Sequence, residues 1–148
     1  MEFVSPPSQH EVQLTIKNET SADFLYRDAV YREGQLSGDK WPVRIHPGQV
    51  VDVTCCGKKE EATFSNCSGY VSYSFADDGK LLTIAFYNNG SENKINVGCE
   101  PPMQVWTEMR SFNYEPITKR IRDGPREYTV VFQCTSGPLN RITVTVSQ

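Results

Sequence analysis

Residues 11–17 read Glu11-Val12-Gln13-Leu14-Thr15-Ile16-Lys17, an unbroken alternation of apolar and polar side chains. Successive side chains of a strand point to opposite faces, so this stretch puts Val12, Leu14 and Ile16 on a core and the polar set in solvent. The same period of two returns at Val51, Val53 and Cys55, at Val71, Tyr73 and Phe75, and at Leu82, Ile84 and Phe86. It returns again at Tyr128, Val130, Phe132 and Cys134, and at Ile142, Val144 and Val146. Between these runs stand His46-Pro47-Gly48, Asp77-Asp78-Gly79, Asn88-Asn89-Gly90 and Thr135-Ser136-Gly137-Pro138, each rich in residues that reverse a chain tightly. Short alternating strands joined by turns predict an all-β protein, a single antiparallel β-sandwich of about eight to ten strands.

Helical signals are weak. The best is Pro116 to Ile121, closed at once by Gly124-Pro125, so one or two short helices at most are expected. Glu100-Pro101-Pro102 reads as a connection. Residues 1–10, with Pro6-Pro7, are expected to form a flexible leader, and residues 11–148 the sandwich domain.

A chain of 148 residues with a net charge of −3 has the size of one domain and no global attraction to nucleic acid. No apolar run approaches the ~20 residues that a membrane-spanning helix needs. The first residues show no basic segment followed by an apolar one, so the expectation is synthesis without a secretory leader, a cytoplasmic protein or one released by a non-classical route. The five cysteines are then expected to be reduced, and the sequons at Asn18, Asn66 and Asn89 to be coincidental.

Catalytic and metal chemistry finds little to work with. The two histidines, His10 and His46, fall in the leader and in a turn. Cys55, Cys56 and Cys67 lack the C-x₂-C pairing of structural zinc sites, and neighbours on a strand point to opposite faces. Asp77-Asp78-Gly79 reads as a hairpin turn and lacks the ligand series of a calcium loop. The expectation is a non-enzyme with no metal and no cofactor.

The aromatic residues carry more information. Tyr26, Tyr31, Trp41, Tyr70, Tyr87, Trp106 and Tyr114 stand near turns or beside polar residues. Tyrosine and tryptophan suit sugar faces and the headgroup layer of a bilayer, and their rings attract quaternary ammonium groups. Arg110, Lys119, Arg120, Arg122 and Arg126 form a local basic zone that suits phosphate or an acidic partner.

Several short motifs resemble a known group. Ile16-Lys17-Asn18-Glu19-Thr20, an aromatic strand from Phe24 to Tyr31, Ile45-His46-Pro47-Gly48, Cys56-Gly57-Lys58, Ser68-Gly69 and the closing run from Ser136 to Val146 together resemble aegerolysins. These small β-sandwich proteins are similar in fold to actinoporins and fungal fruit-body lectins. Where aegerolysins carry a Cys-Pro-Trp-Gly type stretch, this chain has Tyr87-Asn88-Asn89-Gly90-Ser91. Asp78-Gly79 with Leu82-Thr83-Ile84-Ala85-Phe86 is similar to the actinoporin strand that leads into a phosphocholine site, which puts Tyr87 and Asn89 near headgroup-contacting positions. Trp106, Phe112 and Tyr114 then correspond to the aromatic cluster that follows. Actinoporins place a long amphipathic segment before the sandwich, whereas only about ten residues precede Glu11 here, short of the ~20 that a spanning helix requires.

The resemblance therefore implies a membrane-lipid-headgroup-binding protein that acts in cytolysis or membrane targeting with a larger pore-forming partner. Tyr87, Trp106 and Tyr114 would cage a choline- or ethanolamine-type headgroup, Arg110 would pair with its phosphate, and Asn88 and Asn89 would donate hydrogen bonds. The alternatives are a lectin using the same groups on a glycan, and a non-catalytic protein-interaction module.

Overall fold

The computed structural model describes residues 11–36, 40–56, 66–111, 115–137 and 139–148. The expected leader, residues 1–10, lies outside the described residues. Nine strands longer than two residues build the fold: β1 (Glu11–Glu19), β2 (Phe24–Glu33), β5 (Val50–Cys56), β6 (Cys67–Phe75), β7 (Leu81–Asn88), β8 (Asn93–Gly98), β10 (Ile117–Asp123), β11 (Arg126–Cys134) and β12 (Leu139–Ser147). Three two-residue strands, β3 (Gln35–Leu36), β4 (Arg44–Ile45) and β9 (Arg110–Ser111), and one helix, α1 (Pro102–Thr107), complete the described elements. They form two six-stranded sheets, ordered β10-β11-β12-β1-β5-β3 and β4-β2-β6-β7-β8-β9, an all-β sandwich.

Among the described residues all strand pairings are antiparallel except one. β1 runs parallel to β12, in register from Glu11 opposite Leu139 to Glu19 opposite Ser147. This pairing puts the inward rows Val12-Leu14-Ile16 and Ile142-Val144-Val146 in adjacent strands of one sheet. Inward side chains of both sheets share one core, with Phe24, Phe86, Phe132 and Tyr128 among its largest members. The rings of Phe75 and Tyr128 stack across the two sheets at 4.2 Å.

Two local expectations are corrected. Residues 117–123 are a strand, because Ile117, Lys119 and Ile121 alternate with Thr118, Arg120 and Arg122 and the β-branched residues favour extension. The helix lies instead at Pro102–Thr107, just past the segment read as a connection. Proline at the first helical position loses no hydrogen bond and has its φ already set, so Pro101-Pro102 is a start signal here. The Pro101 carbonyl accepts from the backbone N–H groups of Gln104 and Val105. The helix lies on the second sheet's face away from the core, where Val105 packs on Tyr70 and Ala85. That cover buries the outward face of β6 at Tyr70. Farther along, Ser72 Oγ bonds Thr83 Oγ1 at 2.7 Å and Ser74 Oγ accepts from Arg27 Nε at 2.8 Å, so β6 is buried on both faces.

Candidate functional site

The β7–β8 hairpin holds three of the residues expected to bind a ligand. Asn88 is fully buried; its Nδ2 donates to the Glu11 carbonyl at 2.9 Å and its Oδ1 accepts from Gly90 N at 2.8 Å. Asn89 Oδ1 accepts from the backbone N–H of Ser91 at 3.1 Å and of Glu92 at 2.7 Å, and from Ser91 Oγ at 3.1 Å. Gly90 takes the positive φ, 88°, that the reversal needs. Both amides therefore serve the turn: Asn88 ties the hairpin to β1, and Asn89 organises the tip. Asn89 Nδ2 also donates to the Tyr87 hydroxyl at 3.3 Å.

Tyr87 and Trp106 do not form an open cage. Tyr87 is half-buried opposite Lys94, whose Nζ stands 5.5 Å from the ring centroid and 3.4 Å from a Glu92 oxygen. Trp106, on α1, has the Arg32 guanidinium 5.6 Å from its ring centroid, and Arg32 Nη2 also reaches Met103 Sδ at 3.7 Å. Each ring thus already carries a cation, and a second positive charge brought to it would be opposed by the resident one. Tyr114, the third expected cage member, and Phe112 lie outside the described residues.

Arg110 is placed differently. Among the described residues β9 pairs with β8 at Lys94 and Ile95, so from Asn96 onward the buried edge has no strand partner there and its polar groups are met by side chains. Lys119 reaches this edge from β10 in the other sheet. Its Nζ donates to Asn96 Oδ1 at 2.8 Å and to the Val97 carbonyl at 2.9 Å, above the Phe132 ring at 5.6 Å. An ammonium has three N–H groups, so one remains. Beside this tie a groove of about 660 Å³ is lined by residues 107–110 together with Asn96, Ile117 and Lys119. That volume falls within the ~300–1,000 Å³ of small-molecule sites.

The charges in the groove are unusual for a chain with a net charge of −3. Among the described residues the ion pairs are Arg44–Asp23, His46–Asp23 and Lys94–Glu92. Arg110 is exposed and has no carboxylate partner among them, and Lys119 is held by neutral oxygens alone. Glu108 is also exposed, its carboxylate bonded to Gln104 Nε2 at 3.2 Å. The groove therefore offers two cations and one carboxylate around the apolar Met109 and Ile117. The Asn96 amide is used by the Val105 carbonyl at 3.1 Å and by Lys119, and the Thr107 hydroxyl donates to the Gln104 carbonyl at 3.1 Å.

Among the described residues no group of three or more His, Cys, Asp or Glu side chains is placed to hold a metal, and no helix is long and apolar enough to cross a membrane. His46 Nδ1 sits 3.2 Å from Asp23 Oδ1 at an exposed corner. Burial pushes the Cys99 thiol up to about 12, so it stays protonated near neutral pH. Arg32 and Lys94 carried no signal in the sequence, whereas Lys119 stood with Arg110 in the basic zone suited to phosphate and, between Ile117 and Ile121, on the inward-facing row of an alternating strand.

No protein-family model matches the sequence, and no curated protein matches it. Solved structures share the fold. The lipid binding protein Nakanori superposes with a TM-score of 0.73 at 14% identity, over 94% of this chain and 71% of that one. The lectin XCL of Xerocomus chrysenteron, in a mutated form, gives a TM-score of 0.58 at 11% identity, over 94% and 98%. IP-1A of Alcaligenes faecalis gives a TM-score of 0.54 at 18% identity, over 94% and 91%. The fold expected from the resemblance to aegerolysins and fruit-body lectins is the fold found, and a lectin is among the structures that share it.

Proposed function

We propose that the protein is a non-catalytic binder of phospholipid headgroups, peripheral to its target membrane, with the headgroup held in the groove between α1 and β10. The observation that carries this reading is the pairing of Arg110 and Lys119, cations without an acidic partner among the described residues, with Glu108 in one groove. A zwitterionic headgroup carries the complementary charges. Its phosphate would take bonds from the Arg110 guanidinium and the remaining Lys119 N–H, and its ammonium would stand against Glu108. The adjoining surface suits the interfacial layer of a bilayer: Met103 is 47% exposed, and Trp106 and Tyr87 are amphipathic rings flanked by Arg32 and Lys94. The shared fold with a lipid binding protein supports the reading. Cytolysis would then require a larger partner protein, with this chain supplying recognition.

The glycan reading draws on the lectin that shares the fold and on the Thr107 hydroxyl oxygen in the same groove, which can still accept a hydrogen bond. The two cations favour phosphate over an uncharged sugar. Co-sedimentation with vesicles of phosphatidylcholine, phosphatidylethanolamine and sphingomyelin separates the readings. Binding to at least one vesicle, weakened tenfold or more by Arg110→Ala, is expected. Binding to no vesicle, with glycan binding competed by a free sugar, would reject the headgroup in favour of the lectin.

A further inference from the structure

The open side of the sandwich continues past Lys119 toward the β10–β11 turn. There Lys80, Cys99, Glu100, Lys119, Arg120 and Arg122 contribute to a second groove, of about 400 Å³. Four of these six residues are cations, and among the described residues none of Lys80, Arg120 and Arg122 has an ion-pair partner. The one carboxylate is folded back on the chain: a Cβ added to Gly98 would lie 2.1 Å from Glu100 Oε2. Burial raises the half-buried Cys99 thiol; Lys80 and Lys119 pull it down while Glu100 and Asp123 push it up.

Cations on an edge strand such as β10 have another use, since they stop the edge from pairing with a second chain. That use accounts for Arg120 and Arg122. It does not account for Lys80, which comes from the β6–β7 turn of the opposite sheet and lines the same groove. Cations from both sheets thus meet in a concave surface where four of them outnumber the two nearby acids, Glu100 in the lining and Asp123, whose Oδ2 accepts from the Lys80 backbone N–H at 3.1 Å. We propose that this second groove is an anion site for a phosphate monoester, the exposed headgroup of an anionic phospholipid, lying beside the zwitterionic site and sharing Lys119 with it. A monoester carries about −1.5 to −2 at neutral pH, which matches several cations better than the single charge of a diester does. The membrane source of the phosphate rests on the headgroup reading above; the anion site itself does not.

The test uses phosphatidylcholine vesicles with and without phosphatidic acid, together with an amide NMR titration of inorganic phosphate. Phosphatidic acid is expected to tighten binding, and Lys80→Ala or Arg122→Ala to remove about fivefold of that gain each. Arg141→Ala, at an exposed position on β12 outside both grooves, is expected to leave the gain intact. An equal loss in Arg141→Ala would mean diffuse attraction and overturn the site. Inorganic phosphate should shift the Gly98 and Cys99 amides in the wild-type chain and not in Lys80→Ala. If no vesicle binds but these shifts appear, the headgroup reading fails and the anion site stands as one for free phosphate. If phosphate moves neither amide, the anion site is overturned whatever the vesicles show.

Discussion

Replacing Lys119 by Met should cost far more than a half-exposed lysine on an edge strand ordinarily would. Methionine keeps most of the unbranched stem over Phe132, so the change removes mainly the ammonium and its bonds of 2.8 Å and 2.9 Å. Val97 is wholly buried and Asn96 is 5% exposed, so the two oxygens left behind have little water to turn to. β9 cannot serve them, because its pairing stops at Ile95. Hydrogen bonds from a charged donor contribute about 1.5–3 kcal/mol, and an unpaired buried acceptor costs about 1–3 kcal/mol. Partial relaxation of the edge, which has no strand partner beyond Ile95 among the described residues, reduces the sum, which puts the expected loss at about 2–4 kcal/mol. For a chain of this length that corresponds to a fall in Tm of roughly 5–15 °C. Urea unfolding followed by tryptophan fluorescence measures it, with the m-value unchanged if only stability moves. Lys119→Arg, which keeps the charge with a different donor geometry, should fall between wild type and Lys119→Met. A loss below about 0.5 kcal/mol, the scale of ordinary surface substitutions, would refute the inter-sheet tie.

The buried asparagines should behave in opposite ways. Asn88→Ala removes a satisfied amide and leaves the Glu11 carbonyl and Gly90 N–H without this partner, so a loss of about 1–3 kcal/mol in urea unfolding is expected. Asn140 is fully buried with neither amide atom hydrogen-bonded, so Asn140→Leu should be neutral or stabilising in the same assay; a loss as large as that of Asn88→Ala would contradict this. Alkaline stability should follow the buried phenols. Burial, aided by Tyr26, raises Tyr73 above its ordinary 10.0, and its hydroxyl donates to the Pro42 carbonyl at 2.8 Å. A raised folded-state pKa means that stability is whole below pH 10 and is lost as pH climbs beyond it toward the folded value. In Tyr73→Phe the decline of Tm above pH 10 should be shallower, and an unchanged slope would remove Tyr73 from the cause.

The alternating runs carried the fold because each of them has one face in a shared core, as in β1, β11 and β12. Alternation does not say which strands are neighbours, so the parallel contact of β1 with β12 was not legible. Pro101-Pro102 misled because one dipeptide can end a segment or begin a helix, and what decides here is Val105 packing on Tyr70 and Ala85 from a strand pair distant in sequence. At the candidate site, Asn-Asn-Gly contains the same amides that a ligand would use, yet the hairpin consumes them. Tyr87 and Trp106 are half-buried on the second sheet's side of the molecule, but Lys94 and Arg32, from β8 and β2, take their ring faces. Arg110 gained a groove only through Lys119, brought across from the opposite sheet. Pairings across sheets are tertiary facts, and the linear pattern holds two traces of them, the basic zone that includes Arg110 and Lys119 and the inward position of Lys119.

The most direct measurement is an amide and guanidinium NMR titration with soluble glycerophosphoethanolamine and glycerophosphocholine, which present the headgroup without a membrane. Saturable shifts confined to Asn96, residues 107–110 and Lys119, and lost in Arg110→Ala, are the expected result. Shifts centred on residues 88–91 with the groove unmoved, or no shift with either compound, would contradict headgroup recognition at the α1–β10 groove.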